Sequence, residues 1–374
     1  MHNIGIIRIA AVVLGTLFLA GCHKTDDRAS EQTSIRFEAG SLLLKDDAPP
    51  TKFGSLIDGT SFSNGSSFLV YGRHNTDTPL VFSAREVSLS DGNWDYSNPE
   101  QWDWSSESDY YDFLALYLGD LNDQNRPSIP MPSCNTGTTM SASVSYDPSR
   151  DQFDLMLAGK RRTYDAAEGR TSTVGMTFEH MLCAVQVRVG NGSTSTAFTL
   201  NGFHFENLIS RGTAKVEATY DAQGKPSYSW TGTSRLASSV GGTANLSNAQ
   251  LSAIANANFI PHAFNPGENQ GSHTYYDLMI PQTHSEKIGE NGWPALVLEY
   301  TPSGGVGTTA QVLLKDIYTD PDQGVPTLIS SWERGMKYVY FVKLALDGGV
   351  QVHVTTSAWD PVEAETPGLL LPTF

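Results

Sequence analysis

The sequence predicts an all-β protein built as two tandem β-sandwiches, and three observations lead to this prediction. Short segments alternate apolar and polar residues, as in residues 184–189 and 350–355, where every second residue is valine. This period of two is typical of half-buried antiparallel strands. Turn-forming residues such as those at 302–305 and 347–349 separate the segments, in a chain that holds 34 glycines and 19 prolines. Helix-start patterns, the third observation, are few.

Only two segments carry a helical pattern, and both are short. Residues 247–254 begin with a capping-box pattern, and residues 98–100 could start a single turn. Neither segment is long enough to cover a sheet. The sheets must therefore bury their apolar faces against each other, which favours sandwiches.

The charged and polar stretch at 160–172 lies between two groups of strand patterns and is the predicted boundary between the sandwiches. Both predicted sandwiches have the length of an ordinary domain. The predicted organisation of the chain is a signal peptide at 1–21, a tether and N-terminal strand region at 22–52, an N-terminal sandwich at 53–165, a C-terminal sandwich at 172–360 and a tail at 361–374.

The N-terminus predicts export and a lipid anchor. Residues 1–8 carry a single arginine, and the apolar run at 9–19 is too short for a comfortable membrane span. Residues 19–22, Leu-Ala-Gly-Cys, resemble the lipobox of bacterial lipoproteins, in which the cysteine is acylated and becomes the mature N-terminus. Cys22 is therefore the predicted lipidation site, and two or three acyl chains give stable anchoring. The alternative is an ordinary signal peptide followed by a chance cysteine.

The charge excludes some partners. The formal net charge is −16 and becomes −17 when the signal peptide, with Arg8, is removed. So acidic a chain does not suit nucleic acid or anionic lipid. Cys134 and Cys183 remain after lipidation of Cys22 and are either a disulfide or two separate buried thiols. We expect no metal site at either cysteine, because neither belongs to a complete set of four zinc ligands in the sequence.

Motifs for catalysis are missing from the sequence, which contains no zinc-protease, serine-hydrolase or phosphate-loop pattern. We therefore expect no enzymatic activity and no cofactor. Trp94, Trp102 and Trp104 lie in an aromatic-rich stretch that could stack on sugar rings of a host or bacterial surface glycan. The alternative is that these rings pack a loop onto the sandwich.

Five segments, in order along the chain, resemble the fimbrillin family, which comprises type V pilus subunits and related surface lipoproteins of anaerobic Gram-negative bacteria. The most specific is residues 176–187, with a Phe-x-His motif at Phe178 and His180 followed by a valine strand. The other four are residues 62–72, 111–117, 277–282 and 332–338, with Trp359 after the last.

The resemblance implies two transthyretin-like β-sandwiches and a lipoprotein at the outer membrane and cell surface. It also implies removal of an N-terminal strand by a trypsin-like protease and assembly with other fimbrial subunits by strand exchange. Lys52 stands where the family usually presents an arginine, and Arg36 is a second basic residue upstream. Pro361, Pro367 and Pro372 interrupt the tail that would donate a strand, which favours a tip or accessory subunit slightly over a stalk subunit.

Overall fold

The computed structural model contains strands and turns in every region that it describes. Apart from one 3₁₀ turn at Leu314–Asp316, the regular secondary structure of the described residues is β. The all-β prediction is confirmed. Among the residues that the structure describes, no helical segment has the length and apolar character needed to span a membrane. The described residues are 34–39, 50–51, 54–55, 62–75, 80–119, 133–136, 140–148, 153–164, 173–193, 195–218, 227–235, 240–246, 277–287, 292–319, 325–344 and 349–359.

A six-stranded antiparallel sheet forms the centre of the N-terminal half. Its middle strand, Tyr110–Leu118, is a nearly continuous apolar run because both of its faces are buried. Leu114 and Leu116 point into one core, and Phe113 and Ala115 point into another. In order across the sheet, the strands are β12 (Glu179–His180), β10 (Leu155–Thr163), β7 (Tyr110–Leu118), β4 (Ser67–His74), β5 (Phe82–Ser90) and β6 (Asn93–Asp95).

A different layer covers each face of this sheet. One face packs against a two-stranded parallel sheet formed by β1 (Phe37–Ala39) and β11 (Val174–Met176). The other face shares a core with the middle strand of a four-stranded sheet. In order, that sheet contains β16 (Ser227–Arg235), β15 (Ile209–Ala218), β9 (Met140–Tyr146) and β8 (Ser133–Thr136).

The four-stranded sheet draws strands from both predicted sandwiches. β9 lies in the range 53–165 and β15 in the range 172–360, yet the two strands pair along seven residues. β11 and Phe178 also lie beyond the predicted boundary but pack in the core under β1. The division of the chain at 165–172 stays a prediction, and the cores of the structure are not separated along that line.

Two further sheets enclose the core of the C-terminal half, which is lined by alternate residues such as Val185, Val187 and Val189. The five-stranded sheet contains, in order, β18 (Asp277–Met279), β13 (Cys183–Asn191), β24 (Met336–Leu344), β25 (Val350–Ala358) and β22 (Tyr318–Thr319). The facing sheet contains β17 (Val240–Leu246), β14 (Phe198–Glu206), β20 (Ala295–Pro302) and β21 (Thr308–Leu313). Two small pairs complete the described strands, namely β2 (Pro50–Thr51) with β3 (Gly54–Ser55) and β19 (Gln282–Thr283) with β23 (Ser331–Trp332).

Candidate functional site around the N-terminal strand

The N-terminal strand β1 lies in a groove made by residues far away in the sequence. We call this groove the cradle, and it is lined by β11, Phe82, Trp94, Tyr96 and Phe113. Phe37 is paired in parallel with Val174 of β11. The amide of Val174 donates to the carbonyl of Arg36, and the amide of Ile35 donates to the carbonyl of Glu100, both at 2.8 Å. Both edges of the strand therefore contact the body of the protein.

Alternate side chains of the segment 35–39, which includes β1, are buried in the core beneath it. Ile35, Phe37 and Ala39 are 0%, 2% and 3% exposed, whereas the side chain of Arg36 faces solvent. The ring of Phe37 lies edge-on to Phe82 at 5.4 Å and to Phe113 at 5.5 Å between centroids. Burying one such side chain contributes roughly 1.5–3 kcal/mol, so these few residues are a substantial part of this core.

Two aromatic side chains hydrogen-bond to the edge of the strand that faces away from β11. The indole Nε1 of Trp94 donates to the carbonyl of Ala39 at 2.8 Å, and the hydroxyl of Tyr96 donates to the carbonyl of Ile35 at 2.6 Å. Burial raises the pKa of the Tyr96 hydroxyl above its ordinary value, so this group stays a donor at neutral pH. Trp94 and Tyr96 thus replace a neighbouring strand on that edge.

The floor of the cradle is aromatic. The ring of Phe62 lies 5.3 Å from Phe178 and 5.4 Å from Trp94, and the ring of Phe68 lies 4.7 Å from Trp94. These ring contacts all join residues after Lys52, and the Trp94 indole also donates to the carbonyl of Ala39. The cradle therefore contains a cluster of aromatic rings and two side-chain donors that reach the edge of β1.

Comparison with known families identifies the chain. The sequence pattern of the family described as "Fimbrillin-like" matches residues 57–359. The chain belongs to the fimbrillin-like family. The matched range includes the cradle and both halves of the described structure, and it begins after β1.

Solved structures that resemble this fimbrillin-like protein include a fimbrial protein from Bacteroides vulgatus, at 13% identity and a TM-score of 0.49, covering 79% of this chain and 94% of that one. Another is the tip fimbrial protein Mfa3 from Porphyromonas gingivalis with C-terminal truncation, at 11% identity and a TM-score of 0.36, covering 83% of this chain and 97% of that one. The search of curated proteins found no match.

The three candidate sugar-binding tryptophans of the fimbrillin-like chain are packing residues in the structure. Trp102 is 2% exposed, and its ring stacks on Trp104 at 5.1 Å and lies edge-on to Tyr111 at 4.9 Å. Trp94 is the donor to β1 described above, and both Trp94 and Trp104 are half-buried. The arrangement favours the alternative interpretation, in which these rings pack a loop onto the sandwich.

The two cysteines whose pairing the sequence left open, Cys134 and Cys183, lie in different strands of the structure. Cys183 is a free thiol that begins β13, and its Sγ donates to the carbonyl of Met279 at 3.3 Å. Burial raises the pKa of this thiol well above its ordinary value. Cys134 lies in β8, a strand of a different sheet. The free thiol at Cys183 favours the alternative of two separate thiols, and the pairing of Cys134 with Cys183 stays a prediction.

The other predicted site residues of this family member are partly outside the described structure. Cys22 and Lys52 lie outside the described residues, and Lys52 stands between β2 and β3 in the chain. Arg36 directly precedes β1, and its carbonyl accepts the hydrogen bond from the amide of Val174. Of the two basic candidates for cleavage, Arg36 is the one that lies in the described residues, and its backbone carbonyl is hydrogen-bonded to β11.

His180 of the Phe-x-His motif is buried beside a carboxylate. Its Nδ1 lies 3.0 Å from Oδ1 of Asp154, and both residues are 2% exposed. A second buried charge cluster crosses the central sheet, where Asp112 receives hydrogen bonds from Arg73 on β4 and Arg161 on β10. No group of three His, Cys, Asp or Glu residues in the described ranges could hold a metal ion.

Sequence reasoning missed the cradle residues Tyr96, Phe82 and Phe113. Tyr96 lies in the aromatic-rich stretch and Phe113 in the family segment 111–117, but neither pattern identifies a contact with β1. The partners of β1 come from three separate parts of the chain. The one available signal was the alternation of Ile35, Phe37 and Ala39, which marks a strand with one buried face. That signal does not identify the partner strand.

Proposed function

We propose that this chain is a subunit of a cell-surface fimbria that is exported as an outer-membrane lipoprotein through Cys22. It joins other subunits by donor-strand exchange, in which β1 leaves the cradle and a strand from a neighbouring subunit enters it. Membership of the fimbrillin-like family supports the fimbrial role. The observation that carries the exchange mechanism is the placement of β1, whose apolar face is buried in a cradle built from residues after Lys52.

Cleavage at Lys52 would separate β1 from the body without cutting either the strand or the cradle. Arg36 is the second candidate, but a protease must bind an extended backbone, and the backbone of Arg36 is already hydrogen-bonded to β11. We therefore favour Lys52. The structural role needs no catalytic chemistry or cofactor.

We favour a tip or accessory subunit slightly over a stalk subunit. A stalk subunit must donate a strand as well as receive one. Pro361, Pro367 and Pro372 remove three backbone donors from the residues after Trp359, and such a segment pairs poorly along a groove. The cradle can receive a strand in either role.

A reversible lock on β1 tests the exchange mechanism. Glu38 and Gly175 are directly paired in the parallel ladder, so the double variant Glu38→Cys, Gly175→Cys can form a disulfide across it. The oxidised double variant should fold and reach the surface but should not be incorporated into fibres, because β1 cannot leave. Treatment with a reductant should restore incorporation, and each single variant should behave like the natural chain.

The measurement is immunogold labelling of fibres together with a disulfide assay of the surface protein. Incorporation of the oxidised double variant with its disulfide intact would show that β1 does not leave the cradle. The exchange mechanism would then be wrong, whatever the role of the chain in the fimbria.

A further inference from the structure

We infer that the cradle selects its incoming strand by a sequence rule: at alternate positions, a large aliphatic residue, an aromatic residue and a small residue. The rule also requires main-chain carbonyls four residues apart that accept from Trp94 and Tyr96. The inference rests on the proposed function, since it concerns the strand that replaces β1. The occupant is a strand of a different subunit in the same fibre.

The aromatic position is defined by the surroundings of Phe37. Three rings, those of Phe82, Tyr96 and Phe113, lie within 5.4–5.9 Å of its centroid, and all belong to the part of the chain after Lys52. A smaller side chain would leave a cavity that packed rings cannot close. Truncation of this residue to alanine in the incoming strand should weaken binding by about 100-fold.

The small position is defined by Ala39, which is 3% exposed although its side chain is a single methyl group. The core around it is closed, and its own carbonyl is tied to Trp94, whose ring is in turn packed on Phe62 and Phe68. A leucine at this buried position adds three carbon atoms to a packed core, which is unfavourable. We expect it to weaken binding by about 10-fold or more.

The orientation of the incoming strand is defined by its backbone carbonyls, which alternate between the edge that faces β11 and the edge that faces Trp94 and Tyr96. The carbonyl of Arg36 faces β11, and the carbonyls of Ile35 and Ala39 face Tyr96 and Trp94 on the opposite edge. An incoming strand shifted by one residue would turn its buried side chains outward and present the wrong carbonyls. The two side-chain donors therefore favour one register.

The residues after Trp359 in this chain do not contain the required pattern. No five-residue stretch within 360–374 has an aliphatic, an aromatic and a small residue at alternate positions. Pro361, Pro367 and Pro372 also interrupt backbone pairing. This is why we assign the occupant to a different subunit and use the chain's own 360–374 segment as a comparison in the test.

The test uses the full chain with a site for a highly specific protease inserted between Lys52 and Phe53. After cleavage, fluorescent peptides covering residues 33–41 compete with β1 for the cradle, and their capture is measured by polarisation. The natural peptide and its Arg36→Gln variant should bind equally, because the Arg36 side chain is exposed. The Phe37→Ala peptide should bind about 100-fold more weakly, the Ala39→Leu peptide about 10-fold more weakly, and the 360–374 peptide should not bind.

Variants of the body test the two donors. Trp94→Phe and Tyr96→Phe keep a ring but remove a hydrogen bond, so each should weaken capture of the natural peptide by about 3- to 10-fold. Trp104→Phe is the matched control, since its indole stacks on Trp102 and makes no described contact with β1. Capture should be unchanged in that control.

Equal capture of all peptides, capture of none by a cleaved chain that stays folded, or binding of the 360–374 peptide would overturn the rule. These outcomes are distinct from failure of the proposed function. The disulfide lock between positions 38 and 175 reports whether β1 leaves the cradle at all, and the peptide series reports only what the cradle prefers.

Discussion

The indole ring of Trp359 stacks on the imidazole ring of His180, with centroids 3.7 Å apart and ring planes 18° from parallel. Trp359 directly follows β25 of the five-stranded sheet, and His180 lies in the edge strand β12 of the central sheet. The amide of Trp359 also donates to the carbonyl of Gly335, and the amide of Gly335 donates to Leu182. This contact joins the end of the C-terminal half to the Phe-x-His motif.

Replacing Trp359 by alanine should destabilise the protein by about 3–5 kcal/mol, because the ring is 2% exposed and its removal leaves a large cavity. Chemical denaturation of the purified chain checks this. Val306→Ala is the control, since Val306 is 83% exposed and should change stability by less than about 0.5 kcal/mol. A loss below about 1 kcal/mol for Trp359→Ala would mean that the stacked contact is not a stabilising junction.

Asp112→Ala removes the carboxylate shared by Arg73 and Arg161. It should lower the free energy of unfolding by about 3–5 kcal/mol, because Arg73 is buried and loses its charge partner. Asp316→Ala provides the comparison, since the Lys315–Asp316 ion pair is exposed and pairs of that kind contribute about 0–1 kcal/mol. Urea unfolding of both variants gives the two values. Similar losses of stability in Asp112→Ala and Asp316→Ala would show that the ion pairs of Asp112 with Arg73 and Arg161 stabilise the protein no more than an exposed pair does.

Lipidation at Cys22 is tested by growth with a labelled fatty acid. The natural chain should carry the label and fractionate with the outer membrane, whereas Cys22→Ser should not be labelled, because the acyl chains are attached at this thiol. Cys183→Ser is the matched control and should be labelled like the natural chain. Equal labelling of Cys22→Ser would refute the lipobox interpretation.

Deletion of residues 366–374 separates the tip role from the stalk role. A tip or accessory subunit that only receives a strand should still be incorporated once per fibre, whereas a stalk subunit should stop polymerising. Electron microscopy with immunogold labelling measures both outcomes. Loss of all long fibres, with the truncated protein folded and exported, would show that this chain donates a strand and belongs to the stalk.

The sequence by itself determined the strand content of this protein. Alternating apolar residues predict the strands β13 and β25, and the nearly continuous apolar run of β7 predicts a strand with two buried faces. These patterns are local, because the side chains of a strand alternate between faces whatever its partners are. The family resemblance likewise rested on short motifs, and Phe178 and His180 are both buried in the structure.

Only the tertiary structure decided which strands pair and where the buried aromatic and charged groups lie. The parallel pairing of β1 with β11 joins residues 37 and 174, and the pairing of β9 with β15 crosses the predicted boundary between sandwiches. The burial of Trp102 and the placement of Cys183 and Cys134 in different sheets follow from the same long-range pairing. A period of two specifies which face of a strand is buried but carries no information about the partner, since backbone hydrogen bonds are the same for every sequence.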